Sequence, residues 1–457
     1  MSFLDPQFDS YRLVLLCAST RRVLLESAGT QLNLPRISIP RWTRAAKEIT
    51  DLIRHKWQFE GIVLDFLGDR PGAGGIVLVE RIDQDTTRRS PDGHRCGLFD
   101  DVHDVGITDE ERSIVDRLLA DGTTGRGAFS KVGWIEDVVT WIKEVATEEG
   151  FQSSGRVEQF NASADSALIR YSGQDGRACW FKAAGGPNAS EGRITATLAS
   201  LFPEYLPEII GSHQAWNAWL MKDGGTPLSA YNLGSSEILQ VVVRRLAELQ
   251  TRSGRHIGRL LDDGCRDHRM KALRAAIPEI TPHLEEAVRS KDARTGHRVG
   301  VSRLRRVARL IEEATLRLEE LGIPDALQHG DIDPRNILIG SRGPVFTDWA
   351  QASIGNPFVT FEQLRAQLSQ SEATRTILPR LARIYQEVWK PSLPSCRFDY
   401  AFKLMPLIAL ASYLCSRRDW LTAKGLSRSQ SQSYARILAR QLDRAAYELE
   451  QDTEISA

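Results

Sequence analysis

Close-set cysteines, net charge and long apolar runs are all scarce in this chain of 457 residues. Its six cysteines (Cys17, Cys96, Cys179, Cys265, Cys396, Cys415) lie far apart and include no C-x-x-C pair. That spacing excludes a disulfide scaffold and a zinc ribbon, and leaves reduced thiols as the expectation. Lys+Arg and Asp+Glu number 59 each, which argues against a general nucleic-acid binder, so no nucleic-acid partner is expected. The longest apolar run, Leu404–Cys415, contains Pro406 and lies between Lys403 and Arg417. It is too short to span a bilayer and reads as a buried helix, so no membrane partner is expected. The opening Met1-Ser2-Phe3-Leu4-Asp5 has no basic stretch followed by an apolar one, and the expected location is cytoplasmic.

What the chain has is a globular composition, 42% apolar with 35 glycines, and a length that suits two or three domains of about 150 residues each. Its neutral total conceals an asymmetry: residues 1–150 hold 19 basic and 25 acidic side chains, the remainder 40 and 34. Apolar runs at Leu13–Cys17 and Val23–Leu25, around Ser19-Thr20-Arg21-Arg22, predict a hairpin. Thr43–Trp57 has apolar residues at helical spacing, with Thr43 placed to cap it. Strands are expected at Gly61–Leu67 and Gly75–Val79 around Asp69-Arg70-Pro71-Gly72, and helices at Asp109–Leu119 and Trp134–Val145. Together these make an accessory α/β domain of residues 1–150. Strands resume at Val157–Phe160, Ala167–Tyr171 and Ala178–Lys182, followed by a helix at Glu191–Leu201 and a strand at Ala218–Met221. Beyond Ser236 the pattern is helical except at Gly330–Ala350, and Ser427–Ser433 reads as a solvated loop.

That exception carries the chemistry. It reads Leu327-Gln328-His329-Gly330-Asp331-Ile332-Asp333-Pro334-Arg335-Asn336-Ile337-Leu338-Ile339, then, after a Ser341-Arg342-Gly343-Pro344 turn, Val345-Phe346-Thr347-Asp348-Trp349-Ala350. A hairpin here sets Asn336 beside Asp348, with Asp331 on the loop entering it. Two oxygen ligands beside a third carboxylate suit a hard cation such as Mg²⁺, which needs few protein ligands when phosphates supply the rest. Asp331 is then placed to orient an attacking hydroxyl and accept its proton.

His-Gly-Asp-x-x-x-x-Asn followed by Asp-Trp resembles the aminoglycoside phosphotransferase and choline kinase superfamily, relatives of the protein kinases. The resemblance implies an α+β, bilobal, protein-kinase-like fold, with residues 151–226 as a nucleotide-binding small lobe and 227–457 as a mostly helical large lobe. It implies ATP and Mg²⁺ as cofactors, Asp331 as catalytic base, Asn336 and Asp348 as metal ligands, and His329 as a brace for the loop. It also implies a Lys on the third small-lobe strand for the ATP phosphates and a Glu on the next helix to hold it. Lys182 and Glu191 stand at those places. Singly, a strand-end Lys is usually solvated and a first-turn Glu usually just complements the helix dipole; in order ahead of His329 they form a set. Met221-Lys222-Asp223 corresponds to the hinge whose backbone meets the adenine, with Met221 and Asp223 as nucleotide contacts. Leu246–Gln250 resembles the family's first large-lobe helix.

Several departures from the family pattern bear on function. The phosphate-covering loop, Asn161-Ala162-Ser163-Ala164-Asp165-Ser166, has no glycine, so Ser163 and Ser166 are the expected phosphate contacts. Arg335 stands where relatives often carry a small residue; it is expected either to neutralise the transferring phosphoryl group or to pair with Asp333. Thr360 replaces a structural Asp, which predicts altered local bracing with the chemistry retained. In outline, residues 11–67 resemble the Nudix fold, but the Arg44–Asp51 helix has only Glu48 and Asp51 where that family has an acidic cluster, so no pyrophosphatase activity is expected. Trp134, Val138, Trp141 and Val145 share a helix face that packs either on the small lobe or within the first domain.

For the acceptor, the resemblance implies a small-molecule hydroxyl of aminoglycoside, amino-sugar or amino-alcohol type. Residues 381–457 hold 11 basic and 8 acidic residues, without the acidic excess a polycation needs, although Asp399 and Asp419 are available. Trp389, Tyr400, Tyr413 and Trp420 either line a pocket or pack as core. The alternative function is a nucleotide-binding regulatory protein without turnover, and the oligomeric state stays open.

Overall fold

The computed structural model describes residues 8–17, 21–28, 31–40, 43–68, 75–82, 94–102, 107–231, 236–289, 299–416 and 428–454. The expected turn at 69–72, residues 19 and 20 of the one at 19–22, and the residues Asp419 and Trp420 lie outside them. The chain divides into two compact units: one holds the residues up to Gly192 with Ile209–Asp223, the other Arg193–Glu208 with Gly224 onward.

In the first unit, β1 (Phe8–Cys17), β2 (Arg22–Ala28), β3 (Gln31–Asn33), β4 (Arg36–Pro40), β5 (Gly61–Leu67), β6 (Gly75–Arg81) and β7 (His94–Gly97) form a mixed sheet. β1 lies antiparallel to β2 and parallel to β6. Leu13–Leu16 and Ile76–Val79 are apolar throughout because both faces of the sheet are covered. Helix α1 (Ala45–Trp57) closes one face through Ile49, Ile53 and Trp57. Thr43 does not cap it: the Thr43 hydroxyl donates to the Pro40 carbonyl at 2.8 Å, and Arg44 holds the cap position. Asp51, one of the two acids of that helix, pairs with Lys47 and Arg54.

The other face belongs to a core shared with helices α2 (Asp109–Asp121) and α3 (Trp134–Glu148) and with a second, antiparallel sheet. That sheet is built from β8 (Ser153–Ala162), β9 (Ala167–Gly173), β10 (Ala178–Ala183), β11 (Ile209–His213) and β12 (Ala218–Lys222), in the order β11-β12-β10-β9-β8. The aromatic face of α3 packs on this sheet: the Trp141 ring lies 5.9 Å from Phe181, and a Cβ on Gly211 would meet Val145 at 2.8 Å. The two sheets are also tied by one side chain. The Gln159 amide accepts from the Val63 N–H (2.8 Å) and donates to the Val63 carbonyl (2.9 Å), so it satisfies the edge strand β5 at its bulge.

Helix α4 (Glu191–Leu201) begins in the first unit and continues in the second. There β13 (Thr226–Pro227), β14 (Arg266–His268), β15 (Ala326–Gln328), β16 (Ile337–Gly340), β17 (Gly343–Phe346) and β18 (Ser353–Gly355) make two small sheets, β13-β16-β17 and β14-β18-β15. Helix α5 (Ser236–Ser253) and further helices surround them. Residues 428–433, expected as a loop, open the helix Arg428–Glu454; the Ser/Gln tract is polar but has neither Gly nor Pro to break a helix. Phe398–Ser416 is, among the described residues, the one helix long and apolar enough to cross a membrane. Its Leu404, Met405, Leu407, Ile408, Ala411 and Leu414 are built into the core of this unit.

Two buried groups give this fold a pH signature. Burial, reinforced by Arg266, pushes the His268 imidazole down to about 4, while its Nδ1 sits 3.1 Å from the Ser412 hydroxyl. An unfolded His titrates near 6.5, so between those values the unfolded chain binds the extra proton and stability falls as the pH falls. Burial raises Glu80 to about 6 although the Gly133 N–H pulls it back; its contribution runs the other way and fades as pH rises through 6. His268→Gln is expected to flatten the loss of stability between pH 6.5 and 4.5, which in the wild type amounts to roughly 2 kcal/mol from this group. Urea midpoints measured across that range check it, and parallel curves for the two proteins contradict it.

Candidate active site

In the first unit Lys182 lies on β10, which is paired on both sides with β9 and β12. Its Nζ donates to Glu191 Oε1 at 2.5 Å and sits 5.8 Å from the centroid of the Trp219 ring. Glu191, the first residue of α4, is buried, and a carboxylate at a helix N-terminus is favoured by the backbone dipoles. Removing Lys182 would take the ammonium partner from the buried Glu191 carboxylate, at a cost of about 3–5 kcal/mol. The serines of the turn between β8 and β9 bond within the turn. Ser163 Oγ lies 2.7 Å from Ser166 Oγ and donates to Asp165 Oδ1 at 3.0 Å, while it accepts the Ser166 N–H at 3.0 Å. Short polar side chains satisfy their own turn in this way, so the hydroxyls expected to meet phosphate are engaged with each other. Met221 pairs with Trp180 and Ile209 in the sheet, and the Asp223 N–H donates to the Ala178 carbonyl at 3.1 Å. The chain crosses into the second unit directly after Asp223.

In the second unit the loop Gln328–Asn336 is held from below by buried polar groups. Gln250 of α5 donates to the carbonyls of Leu327 and Pro357, and its Oε1 accepts from the Tyr385 hydroxyl at 2.6 Å. Gln328 donates to the Asn356 carbonyl at 2.7 Å. The His329 N–H donates to Thr360 Oγ1 at 3.1 Å, so the hydroxyl of Thr360 braces the loop at the position where the resemblance implies an Asp. His329 Nε2 donates to the Thr347 carbonyl at 2.9 Å, which places the proton on Nε2, and its ring packs 4.5 Å from Trp349. Gly330 has φ +75°, and a Cβ there would lie 2.1 Å from the Gln351 carbonyl oxygen, so no other residue fits between His329 and Asp331.

The three polar positions meet on this frame. Asn336 Nδ2 donates to the Asp331 carbonyl at 3.0 Å, and the Asn336 carbonyl accepts the Thr347 N–H at 2.9 Å. Ile337 is in register with Phe346, so Asn336 and Asp348 sit at the same end of the β16–β17 hairpin. Asp348 adopts φ +67°, ψ +65°, a left-handed conformation that a non-glycine residue holds at a cost of roughly 1–2 kcal/mol. The Asn336 amide is oriented by its own N–H bond, so that its Oδ1 and the Asp348 carboxylate are two hard oxygens that could hold a cation. Among the described residues no three His, Cys, Asp or Glu side chains converge as a metal site, so a cation here would draw its remaining ligands from phosphate and water. Arg335 forms a two-point pair with Asp333 at 2.8 and 3.1 Å and is otherwise exposed. Burial alone would raise the Asp333 carboxyl, but the Arg335 guanidinium and N–H outweigh it and hold it below the ordinary range.

A cavity of about 650 Å³ elsewhere in this unit is lined by Arg383, Glu387, Lys390, Arg397, Asp399 and Tyr400. It lies on the side of the Leu378–Trp389 helix opposite Tyr385 and Trp389, which are buried in the core. Trp389 is thus a packing residue. Tyr413 bonds the hydroxyl of Tyr434 at 2.6 Å.

A lysine on the third strand of an antiparallel sheet, ion-paired to the first residue of the next helix, precedes a helical unit with a His-Gly-Asp loop and an Asp-ended hairpin. This is the arrangement that the resemblance to the aminoglycoside phosphotransferase and choline kinase superfamily implies. Solved structures similar to the chain include a macrolide 2'-phosphotransferase from Brachybacterium faecium, 14% identical over 66% of this chain and 98% of that one, with a TM-score of 0.45. A choline kinase from Streptococcus pneumoniae is 14% identical over 69% and 99%, TM-score 0.43. A Plasmodium vivax ethanolamine kinase is 11% identical over 74% and 95%, TM-score 0.47. No protein-family model and no curated protein matches the sequence. Gln250, Tyr385 and Gln328, which hold the loop, escaped the sequence reading because a buried Gln or Tyr has no local pattern to mark it.

Proposed function

We propose that the protein is a cytoplasmic, Mg²⁺-ATP-dependent phosphotransferase acting on a hydroxyl group of a small molecule. The observation that carries the reading is the braced loop on which Asp331, Asn336 and Asp348 are held together, supported by the Lys182–Glu191 pair. Asn336 Oδ1 and the Asp348 carboxylate would hold Mg²⁺, which when bound neutralises phosphate charge. Lys182, kept in position by Glu191, would hold ATP phosphates, and the backbone at Met221–Asp223 would meet the base. Asp331 would orient the acceptor hydroxyl and take its proton. An acceptor of the amino-alcohol, amino-sugar or aminoglycoside type is the one that the resemblance of the His329–Asp348 segment implies.

A second reading, nucleotide binding without turnover, is favoured by one observation: the glycine-free turn whose serines bond each other. Incubation with Mg²⁺-ATP and a panel of amino alcohols, amino sugars, aminoglycosides and macrolides separates the two. ADP release that depends on one class of acceptor supports the transferase, whereas Mg²⁺-ATP binding with no release beyond the acceptor-free level supports the regulatory protein. Arg335 provides a finer test. Arg335→Ala is expected to lower turnover by about tenfold or more, with ATP affinity within about twofold, as for loss of a group that meets charge only in the transition state. Unchanged turnover would leave Arg335 as the partner of Asp333 alone.

A further inference from the structure

Residues 123–131 of the accessory domain form a closed loop with its own buried polar interior. Thr123 bridges to Lys131, Thr124 Oγ1 donates to Ser130 Oγ at 2.7 Å, and Ser130 Oγ donates to the Gly127 carbonyl at 3.0 Å. The Phe129 ring anchors the loop against Trp134 (5.2 Å) and Phe181 (6.1 Å), and Arg126 ion-pairs with the buried Asp65 at 3.0 Å.

This loop is built against the turn Ser163–Ser166. The Phe129 N–H donates to the Ala164 carbonyl at 3.0 Å. Gly127 approaches so closely that a Cβ would lie 2.1 Å from the Ala164 oxygen and 3.1 Å from the Asp165 nitrogen. From the opposite side the Asp165 carboxyl occupies the space before Gly185, where a Cβ would lie 2.4 Å from Asp165 Oδ2. The turn itself has no glycine, but its neighbours supply them, and their use is close approach and not motion.

We propose that Gly127–Phe129 clamps the turn between β8 and β9, so that the accessory domain sets nucleotide affinity by holding the phosphate-facing backbone in place. The proposal rests on the phosphotransferase reading for the direction that turn faces. A turn already ordered gives up little conformational entropy on binding, whereas a released one must be ordered at that moment. Gly127 is a positioning residue: it acts through Ala164 and Asp165, not on the reacting atoms.

Hydrogen exchange and ATP titration of the full-length protein test it. In the wild type the Phe129 amide, which donates to the Ala164 carbonyl, is expected to be protected, and exchange at peptide rates would overturn the clamp outright. Gly127→Ala should abolish that protection and weaken Mg²⁺-ATP binding about tenfold, the equivalent of one lost backbone hydrogen bond. Turnover at saturating ATP should stay within about twofold, a split that a general loss of folding would not produce. If Gly127→Ala does not fold, Arg126→Ala, which frees the loop from Asp65 without adding bulk, is read in its place. Lost protection with unchanged ATP affinity would overturn the affinity claim alone. Failure of the wild type to bind ATP would overturn that claim together with the reading beneath it, and the exchange data would still decide the clamp.

Discussion

Asp331→Asn is expected to lower phosphoryl transfer by about a thousandfold, the scale of a lost general base and of a hydroxyl no longer aligned. Mg²⁺-ATP affinity should change little, because Asn is close in shape and the contact that orients Asn336 comes from the Asp331 backbone carbonyl, not its side chain. Initial rates beside calorimetric titration of ATP check both halves. A variant with near wild-type turnover would remove Asp331 from the chemistry, and one that loses nucleotide binding as well would point to a collapsed loop.

Deleting residues 1–150 is expected to have the largest structural effect. A chain beginning at residue 151 would expose Ile169, Tyr171, Phe181 and Leu220, all fully buried in a core completed by Trp134, Val138, Ile142 and the first sheet. Burying each such side chain is worth about 1.5–3 kcal/mol, so exposing these four costs roughly 6–12 kcal/mol, as much as the 5–15 kcal/mol that typically holds a domain folded. The shortened chain should lose the part of the thermal transition and of the near-ultraviolet dichroism that belongs to the second sheet and its Trp216 and Trp219, while Trp349 and Trp389, buried in the other core, keep theirs. Unchanged protection of the amides of β9 and β10 from exchange in the truncated protein would show that the second sheet stands alone.

Much of this was legible before any coordinates, and unevenly so. The strands at Ala167–Tyr171 and Ala178–Lys182 and the helix at Glu191 are visible because alternation, a Gly-containing turn and a Pro stop fall in order. The hairpin that unites Asn336 and Asp348 is legible because its turn separates two apolar runs. Strands β14, β15 and β18 are too short at three residues each for alternation to register, although they seat the loop. Thr43 has the residue type of a cap, but its hydroxyl bonds the Pro40 carbonyl instead. The clamp at Gly127 has no sequence signature at all: a glycine needed for close approach to a segment some forty residues later is visible only in the fold.

The central claim is transfer of the terminal phosphoryl group to a small-molecule hydroxyl, and it is tested most directly with ATP carrying heavy oxygen in its γ-phosphate. Wild-type protein and Asp331→Asn would each be incubated with labelled Mg²⁺-ATP and a metabolite extract, and the products read by mass spectrometry. The account predicts a labelled phosphate monoester formed by the wild type and absent with the variant. Bound Mg²⁺-ATP whose label stays in the nucleotide, or leaves only as free phosphate, would contradict it.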